Sequence, residues 1–129
     1  MHLYRSRVSA RNISRGAVLG NRIRVAESGL SRIIGLLGER TLTPGDGLLI
    51  VPSQGVHTLG MLFPIDVVVL DNDWKILDVR ERMRPFLITR IYFKAAAVLE
   101  LPSGTVESSG TRVGDSMDFV RMQELASGG

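Results

Sequence analysis

The stretch Phe63-Pro64-Ile65-Asp66-Val67-Val68-Val69-Leu70-Asp71-Asn72-Asp73-Trp74-Lys75-Ile76-Leu77-Asp78-Val79 decides the fold. Val67 to Leu70 is an unbroken aliphatic run, the pattern of a strand buried on both faces. Asp71 to Trp74 reads as a tight hairpin turn, because Asn and Asp tolerate the left-handed backbone such turns need. Lys75 to Val79 then pairs back. Just upstream, Gly55-Val-His-Thr-Leu-Gly-Met-Leu-Phe63 sets one of the two histidines beside the entry to this strand. Polar residues there sit where core meets surface, so Gly55 to Asp66 is the leading candidate for a site.

Outward from this centre, strand signals continue. Gly47 to Val51 is a short apolar run between the turn-rich Thr43-Pro-Gly-Asp-Gly47 and Pro52. Val56 to Met61 is expected to be extended. Leu3 to Val8 alternates apolar and basic residues. Ala17 to Leu19 leads through Gly20-Asn21, a turn pair, into Arg22 to Ala26, where Arg22 and Arg24 face one way and Ile23 and Val25 the other. That pattern predicts a hairpin turning at Gly20-Asn21 with one wet face. Ala95 to Leu101 is a strand ended by Pro102, Thr105 to Ser109 one helical turn, and Ser116 to Val120 a last strand after the turn Val113-Gly-Asp115. One longer helix is predicted over 29–37: Leu30, Ile33, Ile34 and Leu37 form a single apolar stripe, with Ser28 as N-cap and Gly38 as C-cap. Many short strands, Gly/Pro turns and one good helix imply a mostly β (α+β) fold, a small antiparallel barrel or barrel-like sheet with that helix packed on it.

With 129 residues, the chain has the length of one domain. Residues 1–120 are expected to form it and 121–129 to be a frayed tail. The apolar share of 44% argues against disorder. Cysteine is absent, which excludes disulfides, thiolate metal sites and cysteine nucleophiles. The N-terminus lacks a signal-peptide pattern and no segment has the length of a membrane span, so a soluble cytoplasmic protein is expected. The net charge is +3, and Lys75 and Lys94 are the only lysines among 16 basic residues.

Arg11-Asn-Ile-Ser-Arg15, Gly35-Leu-Leu-Gly38, Gly47-Leu-Leu-Ile50, Val56-His-Thr-Leu-Gly-Met61, Phe63-Pro-Ile-Asp66, Ala97-Val-Leu-Glu-Leu-Pro102 and Val113-Gly-Asp115 follow one another at characteristic spacings. In this ordered combination the chain resembles domain-of-unknown-function family 192, from about Val8 to Phe119. The resemblance implies a compact β-rich prokaryotic domain without an assigned activity. Many such proteins carry an export signal or lipid anchor, and this sequence shows neither. Leu62 stands where similar sequences place arginine, and Trp74 where their hairpin has glycine.

The candidate ligand-binding residues are His57, Thr58, Met61, Asp66, Arg84 and Glu100. His57 can act as a base or a metal ligand, or pack with Leu59 and Met61. Asp66 opens an otherwise apolar strand and needs a partner. That partner is either His57 or Arg84, or else backbone N–H groups near Pro64 that the carboxylate caps. Glu100 interrupts another apolar strand; it either completes a two-carboxylate, one-histidine site or pairs with an arginine. No nucleophile elbow, phosphate loop or dinucleotide fingerprint is present, and no cofactor is expected. Three functions follow. The first is a small binding or accessory domain for a small-molecule or protein ligand. The second is binding of single-stranded nucleic acid through Arg80, Arg82, Arg84, Arg90 and Lys94, interleaved with Phe86, Tyr92 and Phe93. The third is a hydrolase or metalloenzyme using His57, Asp66 and Glu100.

Overall fold

The computed structural model describes residues 7–26, 42–53, 63–84 and 92–121. The predicted helix over 29–37 and the extended segment Val56 to Met61 lie outside them.

Seven strands form one sheet: β1 (Arg7–Asn12), β2 (Ala17–Ala26), β3 (Asp46–Ile50), β4 (Ile65–Leu70), β5 (Ile76–Met83), β6 (Ala97–Pro102) and β7 (Met117–Arg121). Their order across the sheet is β5-β4-β6-β3-β2-β1-β7. All neighbours are antiparallel except β2 and β3. One short helix, α1 (Thr105–Ser109), follows β6, as the sequence predicts. Arg121, assigned to the tail above, instead ends β7 opposite Val8.

The aliphatic run behaves as expected. Every residue of β4 and of β6 is buried. Residues from all seven strands, among them Ile23, Leu49, Val68, Ile76, Leu99 and Met117, meet in one cluster with Val106 of α1. A single flat sheet cannot bring its two outer strands to one core, so the sheet curls into a half-barrel around this cluster. The segments beside the outer strands touch: the Ile76 N–H donates to Asp115 O at 2.9 Å, Gly114 N–H to Ile76 O at 2.9 Å, and Met117 N–H to Trp74 O at 2.9 Å. A second cluster, including Ala26, Leu48, Ile50, Val67 and Val98, covers the opposite face.

Two turn readings need correction. The hairpin between β1 and β2 turns at Ile13 to Gly16, and Gly20-Asn21 lies inside the continuous strand β2. Glycine is required at position 20 for closeness, since a Cβ there would sit 2.8 Å from Gly45 O and 2.8 Å from Ile23 Cδ1. In the Asp71–Trp74 turn, the Asp71 carboxylate accepts from the N–H groups of Asp73 and Lys75 at 2.8 and 2.9 Å. The left-handed residue is Trp74, at φ 62, and not Asn72 or Asp73. Glycine is the residue that adopts that backbone without strain. The indole is compensated by an edge-on contact with Phe119, ring centroids 4.8 Å apart.

Candidate functional site

Of the predicted site residues, His57, Thr58 and Met61 lie outside the described residues. Asp66 and Glu100 are both fully buried, and Arg84 is exposed just beyond β5. In the β4–β6 ladder Asp66 faces Leu101 and Val67 faces Glu100. Neighbouring positions project to opposite faces of a sheet. Glu100 therefore shares a face with Leu48 and Val67, while Asp66 lies on the side of the seven-strand core. The structure does not bring the two carboxylates together. Among the described residues no three metal-ligating side chains gather.

Asp66 is a backbone cap, though not of the Pro64 turn. One oxygen accepts the Arg82 N–H at 2.8 Å; the other accepts Gly104 N–H at 3.1 Å and Val106 N–H at 2.8 Å. Three of a carboxylate's roughly four acceptor positions are thus filled from the main chain. The residue ties β4 to β5 on one side and to the start of α1 on the other.

A second polar cluster was not singled out from the sequence as a unit. Asn12, Thr111 and Asp115 are all buried. The Asn12 amide donates to Thr111 Oγ1 and to Asp115 Oδ2, both at 3.0 Å. The same Asp115 oxygen accepts from Arg15 Nε at 3.0 Å and from the Arg112 N–H at 2.9 Å. The last contact closes the Val113-Gly-Asp115 turn; the others fasten that turn to the β1–β2 hairpin. The Arg15 guanidinium, helped by Asn12 and the Arg112 N–H, holds the Asp115 carboxyl down to about 2. Since the folded value lies below the unfolded value of about 3.9, the stabilisation is complete above about pH 4 and is lost as pH falls towards 2. Urea midpoints followed across that window should fall steeply for the natural protein and less steeply for Asp115→Asn; parallel curves would contradict this account.

The arginines of β5 do not form one cationic face. A register irregularity between Ile65 and Val67 and a left-handed Arg82 (φ 51) break the alternation. Arg82 turns to Glu107, Nη2 to Oε2 at 2.7 Å. Arg80 stays with Asp78 at 3.5 Å, and Asp78 also receives the Tyr92 hydroxyl. Elsewhere Arg11 grips Asp118 with two bonds at 2.7 and 2.5 Å, and Arg22 Nε meets Asp46 at 2.8 Å. Such pairing dilutes the field that would draw a nucleic-acid backbone.

The sequence gives no sign of a groove that lies beside β2. Among the described residues, β2 pairs along Ala17 to Asn21 with β1 alone, because β3 begins to pair at Arg22. The place of the missing neighbour is a groove of about 480 Å³ between β2, the Pro44-Gly45 turn and the Thr105, Ser108 and Ser109 side of α1. Val18, 61% exposed, stands on its wall. Arg22 closes one end, fixed by Asp46, by Pro44 O at 2.6 Å and by Asn21. The helix hydroxyls turn to their own backbone: Thr105 donates to Pro102 O at 2.8 Å and Ser108 to Thr105 O at 3.2 Å. The groove joins three segments far apart in the chain, which is why no local motif announces it.

Comparison with known proteins bears on kinship. The model of domain-of-unknown-function family 192, described as Uncharacterized ACR, matches residues 10–119. A UPF0127 protein of Thermococcus sibiricus is 28% identical over 116 residues, covering 84% of this chain and 72% of its own. A UPF0127 protein of Pyrococcus horikoshii is 29% identical over 103 residues, covering 75% and 86%. A crystal structure from Sinorhizobium meliloti 1021, a candidate transcription regulator, superposes with TM-score 0.75 at 24% identity, over 92% of this chain and 97% of that one. A protein of unknown function from Novosphingobium aromaticivorans superposes with TM-score 0.72 at 19% identity, over 86% and 82%. At these identities the structural likeness is one of fold.

Proposed function

Because this chain belongs to domain-of-unknown-function family 192, whose relatives above carry no assigned activity, we propose from its own geometry that it is a binding domain for an extended peptide. The observation that carries this reading is the open edge of β2 at Ala17–Asn21, set in a groove of about 480 Å³. An unpaired strand edge offers backbone donors and acceptors in the spacing an extended chain matches, and pockets beside it select alternate side chains. Gly20 and Gly45 both line the groove. Val18 supplies an apolar contact; the Arg22 guanidinium supplies a fixed charge for an acidic residue.

The hydroxyls of α1 are already bonded to carbonyls, and the two buried carboxylates lie on different faces. Both facts favour recognition over acid–base chemistry. The paired arginines disfavour a nucleic-acid strand as the ligand. No helix among the described residues is long and apolar enough to cross a membrane.

The test is selection of binders from a random-peptide library, followed by hydrogen exchange with and without the best peptide. Protection should appear at the amides of Ala17–Asn21. Ser108→Trp, which fills the groove from the exposed side of α1, should weaken binding at least ten-fold, roughly 1.4 kcal/mol. Protection confined to another region, or unchanged binding by the Trp variant, would refute the reading.

A further inference from the structure

We propose that the β1–β2 turn and the turn before β7 together dock on the surface of an anionic phospholipid bilayer. Among the described residues four large hydrophobic side chains are exposed, and two of them stand on these turns: Ile13 at 58% and Val113 at 57%. The turns are far apart in the chain but bonded to each other. The Ile13 N–H donates to Ser116 O at 2.8 Å, and the Ser116 N–H to Ser14 Oγ at 2.9 Å. Asn12 and Arg15, on either side of Ile13, both bond Asp115. The two apolar side chains are therefore carried on a fixed double turn, and their exposure is not the fraying of a loose end. Gly16 and Gly114 have left-handed backbones, φ 63 and 93, and a Cβ added at either would meet nothing within 4 Å. Both turns thus stand clear of the rest of the surface.

Charge selects the occupant. Within residues 13–16 and 110–115 the one carboxylate is Asp115, which is buried and bonded to Arg15. Arg112, beside Val113, is exposed. The two turns therefore present hydrocarbon and positive charge outward. Apolar side chains that enter the boundary between headgroups and acyl chains, next to cations drawn to acidic lipid, are the elements of reversible surface binding. A specific protein partner needs about 800 Å² of matching surface on each side, which two projecting turns do not offer. A fluid bilayer moulds itself around such tips and needs no complementary shape. With two inserted side chains the attachment is weak and readily reversed. Ile13, Arg15, Arg112 and Val113 do not line the peptide groove, and the assay contains no peptide, so the two readings can fail separately.

The experiment is co-sedimentation of the full chain with phosphatidylcholine vesicles that contain or lack phosphatidylserine, over a series of lipid concentrations. Binding to the phosphatidylserine vesicles is expected, weakened at least about ten-fold in the double variant Ile13→Ser/Val113→Ser and in Arg112→Glu. Ser108→Trp, which fills the peptide groove, should bind vesicles as the natural protein does. All four positions are exposed, and circular dichroism with thermal unfolding confirms that each variant is folded. Absence of vesicle binding, or equal binding by the double variant and the natural protein, would overturn the assignment. Equal binding to vesicles with and without phosphatidylserine would do the same. So would a dimer in analytical ultracentrifugation that the double variant dissolves, which would give the two tips to a second copy of the chain.

Discussion

Asp66→Ala should lower the unfolding free energy by about 4 kcal/mol, the largest loss expected of any single polar substitution in the described residues. The side chain is fully buried and accepts three main-chain N–H groups. Removing it takes away the acceptor of all three donors. Each unsatisfied buried donor costs about 1–3 kcal/mol, less where water enters the vacated space. Asp66→Asn keeps the shape but turns one oxygen into an NH2 that meets at least one N–H, so a loss near 2 kcal/mol is expected. Urea unfolding at neutral pH measures both. An alanine variant within about 1 kcal/mol of the natural protein would mean that the three contacts do not stabilise the fold as argued. A large loss would place Asp66 among the residues that hold the framework, however close it stands to any ligand.

Gly47→Ala is the second substitution with a large expected effect, about 3 kcal/mol of destabilisation. Its backbone needs no special conformation; space is the reason for glycine. A methyl group there would lie 2.6 Å from Ile23 Cδ1, 2.8 Å from Glu100 O and 3.1 Å from Leu101 Cδ2. The isoleucine tip is itself fully buried, and the carbonyl belongs to β6, paired on both sides by β3 and β4. Neither can retreat without moving a strand. Thermal or urea unfolding of the variant gives the number, and a change below about 0.5 kcal/mol would show that the sheet yields more easily than its pairing suggests.

What could be read from the residues alone followed from burial. Val67 to Leu70 and Ala97 to Leu99 are hydrocarbon on both faces, and only interior strands accept that, so β4 and β6 were legible. Thr105–Ser109 and the Asp115 turn were legible because their chemistry is local. Gly20-Asn21 misled because the same dipeptide serves a hairpin turn and a close backbone approach; only the position of Gly45, 25 residues on, distinguishes them. The arginines of β5 misled for a related reason. Alternation predicts a shared face, but one irregular pair and one left-handed residue send Arg82 to Glu107. At the candidate site, burial of Asp66 and Glu100 could be foreseen from their apolar neighbours. Their placement on opposite faces could not, since it depends on the register of β4 against β6. The groove beside β2 was invisible for the same reason: it exists because β3 starts late, and the offset between two strands is not written in either one.

The adjacency of β1 and β7 has a consequence for the nascent chain. β1 leaves the ribosome before the other six strands, and β2 can cover one of its sides at once. The other side must wait for Met117–Arg121, made after the other six strands. Throughout that interval a strand flank is available to any neighbouring polypeptide. Arg7 and Arg11, both solvent-facing on β1, give that flank a positive charge that repels its own copies, so the arm that looks merely basic in the finished molecule also guards it while it is being made.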